Sequence, residues 1–120
     1  MKKIHYNKLI RDRIPQKIAR SGGSFRVRAL RATEFEQELL KKVGEEASAL
    51  PIVKGRQELL DELADVLAVI DEIKRVKKIS AREIAAAQKG NFKKKGGFKK
   101  RLYLYWSEDT GYRTNERKGS

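Results

Sequence analysis

Three carboxylates in one predicted helix are the residues of this sequence best placed to do chemistry. Glu58, Glu62 and Asp65 share one face, because a helix turns about 100° per residue and their positions then fall within roughly 60° of one another. They border a stripe of apolar residues and so lie at the rim of a packed core. Carboxylates held this close repel one another, and a hard divalent cation such as Mg²⁺ relieves the repulsion. A salt-bridged helix edge has the same spacing, so the pattern alone leaves both interpretations open.

The preceding predicted helix supplies a further carboxylate. Thr33 is expected to be its N-cap, with Glu36 completing a capping box, and its apolar residues form an arc of about 140° on the helical wheel. Glu46 projects inside this arc, where an ionised carboxylate is costly unless a metal, a basic partner or a raised pKa compensates it. Packing the two apolar stripes together brings Glu46 towards Glu62 and Asp65. These three residues are therefore the predicted metal ligands.

Length and composition limit the classes of protein to which the chain can belong. Its 120 residues predict one domain with a modest core. Oligomerisation would help a chain of this size to bury more apolar surface. The sequence has no cysteine, which excludes disulfides, thiolate zinc sites and thiol nucleophiles. Its apolar runs are short, and its N-terminus lacks a hydrophobic signal core. We therefore expect a soluble cytoplasmic protein with no membrane partner.

The net charge of +13 is distributed unevenly along the chain. Residues 1–32 carry ten Lys or Arg against one acid, residues 33–72 hold eleven of the sixteen acids, and residues 73–106 return to twelve bases against one acid. An acidic centre between two basic segments suits a metal site whose surroundings attract an anion, such as a metal-chelated polyphosphate. The same composition also fits a nucleic-acid-binding protein.

Hydrophobic periodicity predicts a mainly α fold, a bundle of about four helices with a small β strand pair. The first helix lies within residues 8–20 and ends at a Gly-Gly turn. Two longer helices, 33–50 and 56–77, are joined by a connection short enough to make them antiparallel neighbours. Ser80 and Glu83 form a second capping box, which opens the fourth helix.

Two segments have the pattern of strands. Residues 25–30 alternate apolar and basic residues, and residues 102–106 are rich in aromatic and large apolar residues, so the two are expected to pair. The predicted domain spans residues 1–106. The tail, residues 107–120, is polar with balanced charge, and we expect it to be flexible.

Four short motifs occur in an order that is typical of one group of proteins. They are Tyr6-Asn-Lys-Leu-Ile-Arg-Asp-Arg-Ile-Pro15, Glu45-Glu46, Glu62-Leu-Ala-Asp65 and Lys95-Gly-Gly-Phe98. Through them the chain resembles the MazG-like, all-α NTP pyrophosphohydrolase superfamily over roughly residues 4–106. More narrowly, it resembles the branch described as phosphoribosyl-ATP pyrophosphohydrolase-like, or as house-cleaning non-canonical NTP pyrophosphatases. Each motif alone is weak, whereas the combination is fairly specific.

The resemblance implies hydrolysis of a nucleoside triphosphate, or of a phosphoribosyl-ATP-like nucleotide, to the monophosphate and pyrophosphate. It implies Mg²⁺, with Mn²⁺ as the alternative ion, held by a Glu-x-x-Glu and a Glu-x-x-Asp pair. Glu62 and Asp65 match the second pair, and Glu46 matches the first position of the first pair. The remaining position holds Ala49, so one expected ligand is missing.

A carboxylate that orients the attacking water is also expected in such an enzyme. Glu45 or Glu58 is predicted for this catalytic role. Their place beside the metal ligands in sequence motivates the choice.

Basic residues flanking the acidic centre are candidates for phosphate binding. One group lies in the N-terminal motif, where two cations about one helical turn apart can contact phosphates together; surface salt bridges are the alternative for this group. The other group surrounds Gly96-Gly97, where backbone amides can approach an anion closely. The predicted substrate-binding residues are Asn7, Lys8, Arg11, Lys95, Lys99 and Arg101.

Other functions fit the same sequence. A scaffold that lost catalysis with Ala49 and kept its cationic faces would be a nucleic-acid-binding module, with affinity that falls steeply with salt. A regulatory partner would bind nucleotides without turnover. For the enzyme, a homodimer is expected.

Overall fold

Helices form the regular structure of the chain. The structure, a computed structural model, describes residues 2–111. The predicted mainly α architecture of about four helices is confirmed. None of the described helices is both long and apolar enough to cross a membrane. The elements in chain order are α1 (Ile14–Arg20), α2 (Ala32–Ala47), a 3₁₀ helix (Leu50–Ile52), α3 (Gly55–Lys77) and α4 (Ala81–Lys95).

Contacts divide the chain into two compact units. The first is Met1–Glu83 and the second is Ile84–Ser120. Helices α1, α2 and α3 and the start of α4 belong to the first unit, and the rest of α4 belongs to the second. The single domain expected over residues 1–106 stays a prediction. Of the expected flexible tail, residues 112–120 lie outside the described residues.

Helices α2 and α3 pack against each other as an antiparallel hairpin. Lys77 Nζ, in the last turn of α3, lies 3.2 Å from Glu36 Oε2 near the start of α2. At the other end, residues 48–54 reverse the chain, and α3 begins at Gly55, whose φ of +80° favours glycine. The predicted antiparallel pair is therefore confirmed, and the end of α2 lies beside the start of α3.

The core of the first unit is small. Leu39 is the only buried residue among residues 2–111, with 4% of its surface exposed. Beyond it, α2 and α3 contribute apolar side chains that are only half-buried. These are Phe35, Val43, Ala47, Val66, Ala68, Val69, Ile70, Ile73 and Val76.

The start of α2 differs from the sequence prediction. Thr33 is not the N-cap, because Arg31 takes that position. The Arg31 backbone N–H donates to Glu34 Oε1 at 3.5 Å, and Arg28 Nη2 donates to Glu34 Oε2 at 2.8 Å. The hydrogen bond from Arg28 holds the pKa of the Glu34 carboxyl below its ordinary value. Glu34 therefore stabilises the first turn of α2, because one of its oxygens accepts the Arg31 backbone N–H and the other accepts a hydrogen bond from Arg28. By contrast, the second predicted cap is confirmed, since Ser80 Oγ accepts the Glu83 backbone N–H at 3.1 Å.

The expected strand pair is not supported. No residue within 2–111 is in a β-strand. Phe25 and Val27 are 47% and 52% exposed, and each residue from 102 to 106 is 73–87% exposed. Alternation favours a strand only where a neighbouring backbone completes the hydrogen bonds and a core covers the apolar side. In the first segment Phe25 and Val27 are exposed, only Leu30 is half-buried among the apolar residues, and Arg28 forms a salt bridge with Glu34 of α2.

Helices α1 and α3 both end at a residue with left-handed backbone. After α1 this residue is Gly22, with φ +81°, which confirms the predicted glycine turn. After α3 it is Lys78, with φ +56°, and the next residue, Ile79, donates its backbone N–H to Lys74 O at 2.8 Å. A side chain in this conformation costs about 1 kcal/mol, which glycine avoids.

Lys78→Gly is therefore expected to raise the free energy of unfolding by about 0.5–1 kcal/mol. Urea denaturation followed by circular dichroism measures the change. The control is Lys77→Gly, one residue earlier in helical backbone, where glycine is expected to lower the free energy of unfolding by about 1 kcal/mol, with a smaller further loss from the salt bridge to Glu36. A Lys78→Gly variant less stable than the parent chain would contradict the strain assigned to this position.

Candidate metal centre

Three predicted carboxylates meet where α2 and α3 lie side by side. Glu46 from α2 and Glu62 and Asp65 from α3 each offer one carboxylate oxygen, and these three oxygens lie within 4.8 Å of one another. All three residues are half-buried. The predicted convergence is confirmed, whereas the metal itself stays a prediction.

Helix geometry explains why these residues meet. Glu62 and Asp65 are three residues apart, so they share a face of α3. Val66 and Val69 follow on the half-buried side of the same helix, which is the side that packs on α2. Glu46 lies in the last turn of α2, and the antiparallel reversal puts that turn beside the first half of α3.

Two basic side chains contact this cluster from different parts of the chain. Arg11 Nη2 donates to Asp65 Oδ1 at 2.9 Å, although 54 residues separate them. Lys42 Nζ lies 3.4 Å from Glu46 Oε1, one helical turn away on α2. Only 12% of the Lys42 side chain is exposed, compared with 65% of the Arg11 side chain. An ammonium group thus neutralises the carboxylates from within the hairpin, and a guanidinium group does so from the surface.

A second chain of salt bridges joins the N-terminal segment to α2. Lys8 Nζ lies 3.5 Å from Glu45 Oε1, and Lys42 Nζ lies 3.5 Å from the same oxygen. The Lys8 ammonium also lies 5.5 Å from the centre of the Tyr6 ring, within range of a cation–π interaction. Asn7 between them has a φ of +48°, a conformation that asparagine tolerates. The N-terminal motif therefore reaches the carboxylates, and its cations form salt bridges there.

Glu58, one of the two residues predicted to orient water, has a structural role at the start of α3. Its Oε2 accepts a hydrogen bond from the Lys54 backbone N–H at 2.6 Å, which satisfies a donor before the first helical turn. Glu58 also lines an open hollow of about 300 Å³ together with Ala49 and Glu62. Position 49, where the resemblance implies a ligand, thus faces the same hollow as a predicted ligand. The other lining residues are Ile52, Val53 and Asp61.

Lys95, Lys99 and Arg101 belong to the second unit, where all three are exposed. A Cβ at Gly97 would lie 3.0 Å from Cε2 of Phe92. The Phe92 ring therefore packs closely on this turn and leaves no room for a larger residue at position 97. This explains the glycine without anion binding. The role of the three cations in binding substrate stays a prediction.

The donor set of the cluster fits a hard divalent cation. Carboxylate oxygens are the ligands that Mg²⁺ and Mn²⁺ prefer. Two oxygens bound to one Mg²⁺ at about 2.1 Å lie no more than about 4.2 Å apart. The observed limit of 4.8 Å exceeds that spacing by about 0.6 Å. Because Mg²⁺ commonly uses few carboxylates and completes its shell with water and phosphate oxygens, three carboxylates suffice without a fourth at Ala49.

Lys42 is the residue of this site that sequence analysis missed. It precedes Glu45 and Glu46 by three and four residues, which puts all three on one face of α2. That spacing was the available signal. Because Lys42 is so little exposed, its ammonium group offsets part of the negative charge of Glu45 and Glu46.

Comparisons with known proteins give no relative from which to argue function. No family model matches the chain, and no curated protein and no solved structure matches it. The geometry of the carboxylates and their basic neighbours is therefore the evidence for function.

Proposed function

We propose that this chain is a Mg²⁺-dependent nucleotide pyrophosphohydrolase that converts a nucleoside triphosphate, or a phosphoribosyl-ATP-like nucleotide, into the monophosphate and pyrophosphate. The observation that carries the proposal is the approach of Glu46, Glu62 and Asp65 to within 4.8 Å, with Arg11 2.9 Å from Asp65. The carboxylates that could bind a metal and the guanidinium that could bind phosphate therefore lie next to each other. The motifs that resemble the MazG-like superfamily support the same activity, and the proposed role is removal of non-canonical nucleotides in the cytoplasm.

Each part of the reaction can be assigned to residues of this site. A bound Mg²⁺ or Mn²⁺ would supply neutralisation of phosphate charge and a coordinated water of lowered pKa. Glu46, Glu62 and Asp65 would provide the ligands. Lys8 and Arg11 bind phosphate oxygens in this scheme, because 41% and 65% of their side chains are exposed and both already lie beside the carboxylates.

Glu45 and Glu58 are the proposed residues for orienting the attacking water. The hydrogen bond from Lys54 to Glu58 Oε2 fixes that carboxylate at the edge of the hollow, while Oε1 can accept a proton from water. Glu45 lies between Lys8 and Lys42. Its salt bridges fix its position beside Glu46.

Incubation with a panel of canonical and modified nucleoside triphosphates and phosphoribosyl-ATP tests the proposal. We expect pyrophosphate and the matching monophosphate in equal amounts, with Mg²⁺ or Mn²⁺ required and EDTA abolishing the reaction. Release of inorganic phosphate in place of pyrophosphate, or no turnover of any nucleotide, would overturn the proposed activity. Binding without turnover would identify the regulatory alternative.

Arg11→Ala is expected to change metal and nucleotide binding in opposite directions. Arg11 and a divalent cation compete for the Asp65 carboxylate, so removing the guanidinium should tighten Mn²⁺ binding a few-fold in the absence of nucleotide. The loss of a phosphate contact should raise KM roughly 10-fold. Calorimetric titration with Mn²⁺ and steady-state kinetics measure the two effects. Arg13→Ala, at the N-cap of α1, removes the same charge and is the control. If Arg11→Ala weakened the binding of both Mn²⁺ and nucleotide, Arg11 would not compete with the metal for Asp65.

We also propose that the enzyme is a homodimer formed through the leucine face of α3, defined as Leu59, Leu60, Leu63 and Leu67. These residues are 38–57% exposed and fall within an arc of about 100° on the helical wheel. The acids of α3 lie mostly in its first half and its last turn is basic. Two copies of α3 packed antiparallel across a twofold axis would bring opposite charges together, which favours a second copy as the partner.

Sedimentation velocity tests the dimer. The wild-type chain is expected to sediment as a dimer at micromolar concentration, and the double substitution Leu63→Lys with Leu67→Lys is expected to produce the monomer, because it places two charges in the apolar contact. Leu40→Lys is the control, since Leu40 is 63% exposed on α2. A wild-type monomer, or a dimer that survives the double substitution, would exclude this interface.

A further inference from the structure

Residues 92–106, which we term the aromatic–basic segment, concentrate two kinds of side chain. The segment holds six of the 29 Lys and Arg residues, at 93–95 and 99–101, and has no acid. The whole chain has four Phe, four Tyr and one Trp, and the segment holds five of these aromatic residues. These five are Phe92, Phe98, Tyr103, Tyr105 and Trp106.

The side chains of this segment are exposed. The five aromatic residues are each 67–96% exposed, and every cation between them is exposed as well. Tyr103 and Tyr105 lie with ring centres 5.2 Å apart in an edge-to-face arrangement. Single exposed aromatic residues need no explanation, whereas several in one short stretch mark a binding surface.

We propose that the aromatic–basic segment binds single-stranded nucleic acid. Its cations complement the phosphate backbone, and its rings offer faces on which unpaired bases stack. Exposed rings favour a single strand over a duplex, because paired bases are already stacked on each other. RNA and single-stranded DNA share this chemistry. The proposal goes beyond nucleotide hydrolysis, since it concerns a polymer and uses none of the carboxylates of the metal centre.

Fluorescence anisotropy with the full chain tests the proposal. The probes are labelled oligo(dT) and oligo(U) of about 20 nucleotides, a duplex of equal length, and vesicles containing phosphatidylserine. We expect both single strands to bind more tightly than the duplex or the vesicles, and EDTA to leave binding unchanged. If about four phosphates are neutralised, affinity should fall roughly 50-fold between about 50 and 200 mM salt.

Two substitutions separate stacking from simple charge attraction. Tyr105→Ala and Trp106→Ala are each expected to weaken single-strand binding about 10-fold. Leu104→Ala is the matched control, because Leu104 is 73% exposed in the same stretch but has no ring, and it should bind like the parent chain. Circular dichroism checks that each variant keeps its helices.

Several results would overturn the proposal. They are absence of binding, equal affinity for duplex and single strand with no effect of the aromatic substitutions, or preference for the anionic vesicles. Asp65→Asn distinguishes this proposal from the enzymatic one. It should remove hydrolysis and leave oligonucleotide binding intact, and loss of oligonucleotide binding in that variant would assign the polymer to the metal centre.

Discussion

Glu62→Gln is expected to abolish metal binding and to lower kcat/KM for nucleotide hydrolysis by about 10²–10³-fold. The oxygen of Glu62 is within 4.8 Å of those of Glu46 and Asp65, and Glu62 lines the hollow that Ala49 also faces. The amide keeps the shape of the side chain but removes one negative charge and one ligand oxygen. Two carboxylates, with Arg11 and Lys42 already beside them, then attract a divalent cation much less.

Calorimetric titration with Mn²⁺ and an assay of pyrophosphate release measure the two effects of Glu62→Gln. Asp71→Asn is the matched control, because it makes the same change of charge on the same helix at a side chain that is 71% exposed. It should leave both readouts unchanged. Unaltered Mn²⁺ affinity in Glu62→Gln would exclude Glu62 as a ligand.

Ala49→Glu is expected to strengthen metal binding by about 10-fold and to raise kcat/KM by a similar factor. Position 49 borders the hollow that contains Glu62, and its backbone, with φ −78° and ψ −19°, accepts glutamate without strain. A carboxylate there restores the pair of acids that Glu46 begins in the motif. Without metal it adds repulsion to the cluster, so the thermal midpoint of the variant should depend more strongly on Mg²⁺ than that of the parent chain.

The control for this gain of function is Ser48→Glu, which adds the same charge one residue earlier at an exposed position. It changes the field around the site without adding a ligand, so only a small effect on Mn²⁺ affinity is expected. Tighter binding in Ser48→Glu equal to that in Ala49→Glu would show that charge alone is responsible. No gain in Ala49→Glu would contradict the assignment of position 49 to the metal site.

Local periodicity was sufficient to predict most of the helical structure and the convergence of three acids. The spacing of Glu62 and Asp65 follows from the turn of a single helix. The approach of Glu46 follows from two apolar stripes joined by a short connection. Both signals depend on neighbours in the sequence, and the structure confirms them. The glycine end of α1 and the cap at Ser80 are local in the same sense.

Other features depend on packing that periodicity does not encode. Helix α2 starts at Ala32 with Arg31 at the N-cap, so the predicted cap at Thr33 is wrong. Residues 25–30 do not form a strand, and Arg28 pairs with Glu34. The segment from 102 to 106 has strand-forming residues, yet its side chains are exposed. A strand requires a partner backbone, and composition alone does not supply one.

The helices, the acidic face of α3 and the salt bridges of Lys42 follow from local spacing, because each depends on residues within a few positions of one another. The contacts of Arg11 and Lys8 with the acids arise only when the chain has folded. Arg11 reaches Asp65 across 54 residues, and Lys8 reaches Glu45 on α2. Such contacts depend on how an irregular N-terminal segment lies against the hairpin, and spacing along one helix carries no information about that path.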